Sequence, residues 1–184
     1  LRLEEDGALV PADLGAKGPR PFALPGAEPR YARDRVAKVR HIRLDVALDF
    51  ERKRIDGAAT LSFSALNDGL SEMVLDAVEL EVKRVLSAAD GAELRFSYDS
   101  QKLAISLPRA LAAGEETTIR VEYGGSPRRG LYFVGPDEHY PQTPRQAWTQ
   151  GQDEDSRYWF PCYDYPNEKA TTEVAVTVPM DLLA

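Results

Sequence analysis

The chain has 184 residues and a net charge of -7. This length fits one ordinary domain, and 43% hydrophobic residues can build a core, which argues against disorder throughout. Nucleic-acid binding is disfavoured because an acidic surface repels the phosphate backbone. No membrane segment is expected, because no run approaches the roughly 20 apolar residues of a membrane helix.

The first part of the chain predicts an arm rather than a packed unit. Residues 1–30 are rich in Pro and Gly, which break helices and strands. We predict an extended N-terminal arm over 1–30 and one β domain over 31–184. Cys162 is the single cysteine, so no internal disulfide can form, and a reducing compartment such as the cytoplasm is favoured. The sequence begins with Leu rather than Met, which leaves an exported form open.

Apolar and polar residues largely alternate from residue 39 onward. This period of two is typical of a half-buried strand, and it predicts strands over 39–50 and 58–66. The short charged stretch between them indicates an antiparallel hairpin.

Shorter alternating runs follow at close spacing. They predict strands over 93–98, 102–107, 117–124 and 173–179, with two further short strands around Met73 and Leu80. Residues 107–113 could instead form a helical turn. Regularly spaced short strands indicate an all-β, mainly antiparallel β-sandwich.

Residues 130–169 break this rhythm. They hold both Trp residues and several Tyr, Gln, Asp and Pro residues. A long aromatic loop inside a compact domain is usually functional, so we expect recognition to lie here.

Metal binding within this chain is not expected. The potential soft ligands His41, His139 and Cys162 lack the spacing of a zinc site. The sequence also lacks the Gly-x-Ser-x-Gly motif that marks a serine nucleophile, so we do not expect the chain alone to be an independent catalyst.

One block of the sequence resembles a known family signature. The run from Trp148 to Ala170 matches T-Q-x-E/Q-x-x-x-x-R-x-x-F-P-C-x-D-x-P-x-x-K-A, which resembles the block of aminopeptidase N-like zinc metallopeptidases, the gluzincin aminopeptidases. The upstream element Gly130-Leu131-Tyr132 is similar to that family's Gly-Leu-Tyr. One departure is Tyr165, where the family commonly has Glu.

The resemblance implies the saddle-like N-terminal β domain of a zinc aminopeptidase, which hydrolyses the first bond of peptides that have a free N-terminus. The domain would wall one side of the active-site cleft. The zinc ligands and catalytic residues would lie in a downstream domain of the same polypeptide, so this chain alone should be inactive and bind no zinc.

Two glutamines are the candidate substrate-binding residues. In extended chain, Gln150 and Gln152 point to one side, where their amides could bind an ammonium group and a peptide carbonyl. The resemblance implies that Gln152 contacts the substrate α-amine and that Gln150 lines the same cleft. The alternative is that both amides bond to loop backbone.

The neighbouring residues have predicted structural roles. Arg157 and Asp164 are expected to form a buried pair that fixes the loop. Residues 153–155 form an acidic run that we interpret as a solvated loop face, the alternative being that it attracts a cationic amino terminus toward the cleft. We interpret residues 159–161 as core anchors and Cys162 as a small buried hydrophobic residue.

Two other functions stay open at this point. The first is a stand-alone β-sandwich binding or scaffold module without activity. The second is an epoxide-hydrolysing relative on the same scaffold.

Overall fold

The computed structural model describes residues 2–3, 9–10 and 34–183 and divides the chain into two units, Leu1–Arg33 and Asp34–Ala184. In the first unit, β1 (Arg2–Leu3) pairs antiparallel with β2 (Leu9–Val10). The rest of the predicted N-terminal arm lies outside the described residues, so the arm over 1–30 and the domain boundary stay predictions.

The regular secondary structure of the second unit is almost entirely strand. A single short 3-10 helix, Ser156–Tyr158, is the one helical element between residues 34 and 183. The strands are β3 (Ala37–Asp49), β4 (Arg54–Ala65), β5 (Leu70–Asp76), β6 (Glu81–Ser87), β7 (Phe96–Tyr98), β8 (Lys102–Leu111), β9 (Glu116–Gly125), β10 (Leu131–Val134), β11 (Gln146–Thr149) and β12 (Thr171–Thr177).

These strands form three sheets. The largest has the order β12-β3-β4-β9-β6, the second has the order β5-β8-β7, and β10 and β11 form a separate hairpin. Every pair is antiparallel except β12 with β3, which is parallel. The predicted all-β, mainly antiparallel fold is therefore confirmed.

The long hairpin that the alternation predicted is present. In β3 and β4, Ile42 lies opposite Leu61 and Leu44 lies opposite Ala59, and all four side chains are buried. Partners across a ladder share one face of the sheet, so this face is the core face and the polar residues between them face solvent.

The core joins both larger sheets. Leu61 and Val121 of the five-stranded sheet belong to one buried cluster with Leu75, Leu103 and Ile105 of the three-stranded sheet. Their packing makes the unit a sandwich, as expected.

Three details differ from the sequence predictions. The strand predicted over 93–98 is shorter than expected, because β7 spans only Phe96–Tyr98. The alternative of a helical turn at residues 107–113 is wrong, because β8 continues as a strand to Leu111. The sequence also gave no signal for the hairpin of β10 and β11, whose four-residue strands are too short for a clear period.

Candidate functional site

The β10–β11 hairpin leads directly to the candidate glutamines. Tyr132 lies opposite Trp148, and their rings stack with centroids 4.5 Å apart at an interplanar angle of 22°. Such a stacked cross-strand pair stabilises a two-stranded ribbon that has few residues. Gln150 is the first residue after β11 ends at Thr149.

Gly130 connects the hairpin to the loop that follows it. The backbone N–H of Gln150 donates to the carbonyl of Gly130 at 2.9 Å. Gly130 has a φ of +77°, and a Cβ there would lie 2.1 Å from the carbonyl oxygen of Asp155. Only glycine fits this close approach without displacing the neighbouring turn.

Gln152 begins a tight turn that runs into the 3-10 helix. The turn is closed by the backbone N–H of Asp155, which donates to the carbonyl of Gly151 at 3.0 Å, and the Gln152–Asp153 peptide bond is cis. Since β11 ends at Thr149, strand geometry does not fix a common side for the two glutamines.

Both candidate amides are open to a ligand. Gln150 and Gln152 are exposed, and within residues 34–183 neither side chain makes a hydrogen bond. The alternative in which the two amides bond to loop backbone is therefore not the arrangement seen here.

Arg157 fixes the segment after the turn. Its Nε and its backbone N–H both donate to Oδ2 of Asp164 at 3.0 Å, and its Nη2 donates to the Asp164 carbonyl at 2.8 Å. The predicted Arg157–Asp164 pair is therefore present, although one of the two guanidinium bonds goes to backbone rather than to the second carboxylate oxygen. Nη2 also donates to Glu154 at 2.5 Å.

Asp76, at the end of β5, is the anchor that sequence reasoning missed. Its Oδ2 accepts from the backbone N–H of Asp164 at 2.9 Å, and its Oδ1 accepts from Nζ of Lys102. Its backbone exchanges two hydrogen bonds with Cys162, at 2.6 and 3.0 Å. The loop that carries the glutamines is thus tied to the sandwich through a side chain only 2% exposed.

Burial and ion pairing act against each other in this anchor. Burial raises the pKa of Asp164 above its usual 3.8, and the hydrogen bonds from Arg157 offset part of that rise. Burial lowers the pKa of Arg157, but the hydrogen bond to Asp164 and the nearby carboxylates outweigh it, so the pKa is raised overall. Each partner therefore compensates a charge that burial would penalise.

The acidic run at 153–155 is only partly a free acidic face. Glu154 pairs with Arg157, and Asp155 lies 3.6 Å from Arg129. Asp153 is exposed and has no ion pair within residues 34–183. Long-range attraction of a cation would therefore rest mainly on one carboxylate.

The apolar residues after Arg157 serve the core, as predicted. Trp159 and Phe160 pack against the buried cluster with their rings 4.5 Å apart, and Cys162 is buried. Tyr165, which stands at the family's usual Glu position, also packs against the core.

The described residues offer no metal centre. Across residues 34–183, no group of three or more His, Cys, Asp or Glu side chains could hold a metal ion. Of the candidate ligands, His41 has Nδ1 at 2.8 Å from the Thr171 hydroxyl, and Cys162 is buried. The residues present do not fit a zinc ion. The same stretch contains no helix long and apolar enough to cross a membrane.

Comparison with known proteins places the domain in a family. The family model described as the Peptidase M1 N-terminal domain matches residues 38–184. The chain belongs to this family, and the anchored loop with its two open amides lies inside the matched region.

Relatives with names are similar over most of this chain. Leukotriene A-4 hydrolase of Xenopus laevis is 28% identical over 153 residues, covering 79% of this chain and 25% of that protein. Leucine aminopeptidase 2 of Phaeosphaeria nodorum is 29% identical over 150 residues, covering 79% and 24%. The chain thus spans about a quarter of the length of these relatives.

A solved structure is similar in both fold and sequence. An M1 zinc metallopeptidase from Deinococcus radiodurans, solved as a point mutant bound to a Tyr-Ser-Ala substrate, is 28% identical and has a TM-score of 0.64. The match covers 79% of this chain and 33% of that chain. These relatives are enzymes by name, and none of them supports the stand-alone module.

Proposed function

We propose that this chain is the substrate-binding N-terminal β domain of a zinc-dependent aminopeptidase that removes the first residue of peptides. The domain walls one side of the active-site cleft. The amide of Gln152 accepts a hydrogen bond from the substrate α-ammonium group, and Gln150 lines the same cleft.

The observation that carries this proposal is the contrast between the loop and its two glutamines. The loop is held by Arg157, Asp164 and Asp76, yet Gln150 and Gln152 are exposed and make no hydrogen bond within residues 34–183. A fixed backbone that presents free amides is suited to binding, because little backbone freedom is lost when the ligand arrives.

The amide chemistry fits the first residue of a peptide. A glutamine carbonyl oxygen accepts from an ammonium group, and the amide N–H groups can donate to a peptide carbonyl. A blocked N-terminus removes the ammonium donor, so it removes the interaction that distinguishes a free amino end from an internal residue.

The zinc and the catalytic groups belong, in this proposal, to a downstream domain of the same polypeptide. The lengths of the relatives support such a domain. This chain's own contribution is to bind and orient the substrate, and the isolated chain is expected to be inactive. A cytoplasmic location, expected from the single cysteine, stays a proposal as well.

Turnover by the full-length protein tests this function. We expect hydrolysis of aminoacyl substrates with a free amine and loss of that activity when a chelator removes the metal. The matched N-acetylated substrates should be turned over far more slowly. Equal turnover of free and acetylated substrates, or no peptidase activity in a zinc-loaded protein, would contradict the proposal.

A further inference from the structure

The start of β3 carries an excess of positive charge on an acidic chain. Residues 34–43 hold four Lys or Arg residues and one acidic residue, whereas the whole chain has a net charge of -7. A local surplus of one sign of charge raises the concentration of the opposite ion around it. The segment is therefore a candidate anion site, and the substrate-binding loop makes no use of it.

The fold adds a lysine from the far end of the chain to this segment. β12 begins at Thr171, which lies in register with His41 of β3 in a parallel pair. The chain that enters β12 therefore runs beside the start of β3. An open groove of about 350 Å³ lies between the two stretches, and we call it the basic groove. It is lined by Lys38, Val39, Arg40, Lys169, Ala170 and Thr171.

Hydrogen bonds hold the two walls of the basic groove together. The hydroxyl of Thr171 donates to the carbonyl of Arg40 at 3.1 Å, and the backbone N–H of Val39 donates to Oε2 of Glu168 at 3.4 Å. The pairing of β3 with β4 also shifts register between Val39 and His41, as in a β-bulge. Bulges re-aim side chains and occur often beside functional sites. The groove is thus a fixed feature of the fold.

The carboxylates beside the basic groove already have cationic partners. Glu168 lies 3.5 Å from Arg35, and Glu116 lies 3.6 Å from Arg40. The side chain of Glu168 is only 6% exposed, so it is held in place beneath the surface. These carboxylates therefore neutralise the two arginines rather than the lysines.

Two lysines on opposite walls are left without an ion pair. Lys38 is half-buried and Lys169 is exposed, and within residues 34–183 neither ammonium group lies within ion-pair distance of a carboxylate. Two positive charges that line one groove repel each other, and an anion between them removes that repulsion.

We propose that the basic groove binds a phosphate-bearing anion between Lys38 and Lys169. A phosphate group carries about two negative charges near neutral pH and several acceptor oxygens, so it can accept from ammonium groups on both walls at once. Lysine binds phosphate as a point charge and needs no fixed fork geometry. This site is separate from the proposed substrate-binding loop and does not depend on peptidase activity.

Calorimetric titration of the full-length protein with inorganic triphosphate tests the proposal. We expect one groove site per chain, with an affinity that falls as salt is added, because salt screens exposed charges. Lys38→Gln and Lys169→Gln should each weaken binding about 2- to 5-fold, the range for loss of one exposed charge pair. The double variant should bind more weakly than either. It also reports any heat that arises elsewhere, such as at a bound metal.

Lys53→Gln is the matched control. Lys53 is exposed and makes no ion pair within residues 34–183, and its replacement changes the net charge by the same amount. It should therefore bind triphosphate as the wild type does. Circular dichroism and Tm of all the variants should match the wild type, because each substitution removes a charge at the surface.

Competing anions identify what the groove recognises. ATP contains the same triphosphate, so it should lose affinity in the double variant to the same extent. Citrate, whose charges are on carboxylates, should bind more weakly than triphosphate. Citrate binding as tight as that of triphosphate would overturn the assignment to phosphate. Absence of triphosphate binding, or equal weakening by Lys53→Gln and the two groove variants, would overturn the site itself. The readout needs no enzymatic activity, so failure of the proposed function would leave it interpretable.

Discussion

Asp76 and Asp164 are 88 positions apart in sequence, yet Oδ2 of Asp76 accepts a hydrogen bond from the backbone N–H of Asp164 at 2.9 Å. This bond joins the end of a core strand to the loop that carries the candidate glutamines. The anchor should therefore govern both the stability of the domain and the position of Gln150 and Gln152.

Replacing Asp76 by Ala should destabilise the domain. The buried N–H of Asp164 would lose its acceptor, which typically costs about 1–3 kcal/mol. Asp76→Asn should lose less, because its amide oxygen can still accept. Urea unfolding checks this, with Asp34→Ala as the control, since Asp34 is exposed and makes no ion pair within residues 34–183, so its loss should change stability little.

Removing Arg157 should be more damaging than removing a neighbouring surface arginine. Arg157→Ala leaves Asp164 buried without its cation, and breaking such a pair costs roughly 3–5 kcal/mol. Arg128→Ala, which removes an exposed partner of Glu79, should cost much less, because ion pairs at the surface contribute little to stability. Equal unfolding midpoints for the two variants would show that Arg157 does not anchor the loop.

A pH dependence should accompany the loss of Arg157. Without the guanidinium, ionised Asp164 is penalised further, so its pKa rises and its protonation becomes easier. The stability deficit of Arg157→Ala relative to wild type should consequently shrink as pH falls. A deficit that stays constant from neutral to acid pH would argue against this role for the pair.

Gly130 should not tolerate a Cβ. Gly130→Ala combines a positive φ with a clash against the carbonyl of Asp155, whereas Gly114→Ala has a φ of +78° and nothing within 4 Å of its Cβ. Both substitutions should lower the free energy of unfolding by about 1 kcal/mol, because alanine disfavours a positive φ. Gly130→Ala should additionally raise KM in the full-length enzyme, because it displaces the turn at Gln152. Matching effects of the two variants on stability and KM would contradict this account.

Acid should destabilise the domain through its exposed ion pairs. The hydrogen bond from Arg109 is the main cause that lowers the pKa of Glu115 from 4.5 to about 2, and bonds from Arg54 lower the pKa values of Asp56 and Glu81. A pKa lower in the folded state gives stability that is present above the unfolded value and lost as pH falls through the folded value.

We therefore expect unfolding midpoints to fall as pH drops from about 4.5 to about 2. Protonation of Asp164, whose pKa is raised, acts in the opposite direction. Glu115→Gln should reduce the acid dependence, and high salt should weaken it by screening. An acid transition that Glu115→Gln leaves unchanged would exclude this pair as a contributor.

The strands of the main sheet could be predicted, because the alternating burial that defines each strand is visible within a few neighbouring residues. Burial of alternate residues in β3 and β4 produces the period that the sequence shows. The pairing of Arg157 with Asp164 could also be predicted, because two charges inside an apolar run need each other. The anchoring role of Asp76 could not be predicted. Its sequence context is that of an ordinary strand end, and its role depends on a contact with a residue 88 positions away.

The local environment of the two glutamines could not be predicted from the sequence either. Their roles rest on a family resemblance, and their exposure depends on where β11 ends and how Gly130 meets Asp155. The stacking of Tyr132 on Trp148 required knowing the register of a hairpin with four residues in each strand.

We propose that Gln152 binds the substrate ammonium group, and kcat/KM of Gln152→Ala in the full-length protein tests this proposal most directly. Loss of a hydrogen bond to a charged group costs about 1.5–3 kcal/mol, so kcat/KM on free-amine substrates should fall roughly 10- to 150-fold. Gln152→Glu should fall less, because a carboxylate still accepts from an ammonium group.

Gln142→Ala, which removes another exposed glutamine, should leave kcat/KM unchanged, and residual turnover of an N-acetylated substrate should be indifferent to Gln152→Ala. Zinc content and Tm of all the variants should match wild type. If Gln152→Ala folds and loads zinc normally, a kcat/KM within about twofold of wild type, well short of the expected loss, would contradict the account.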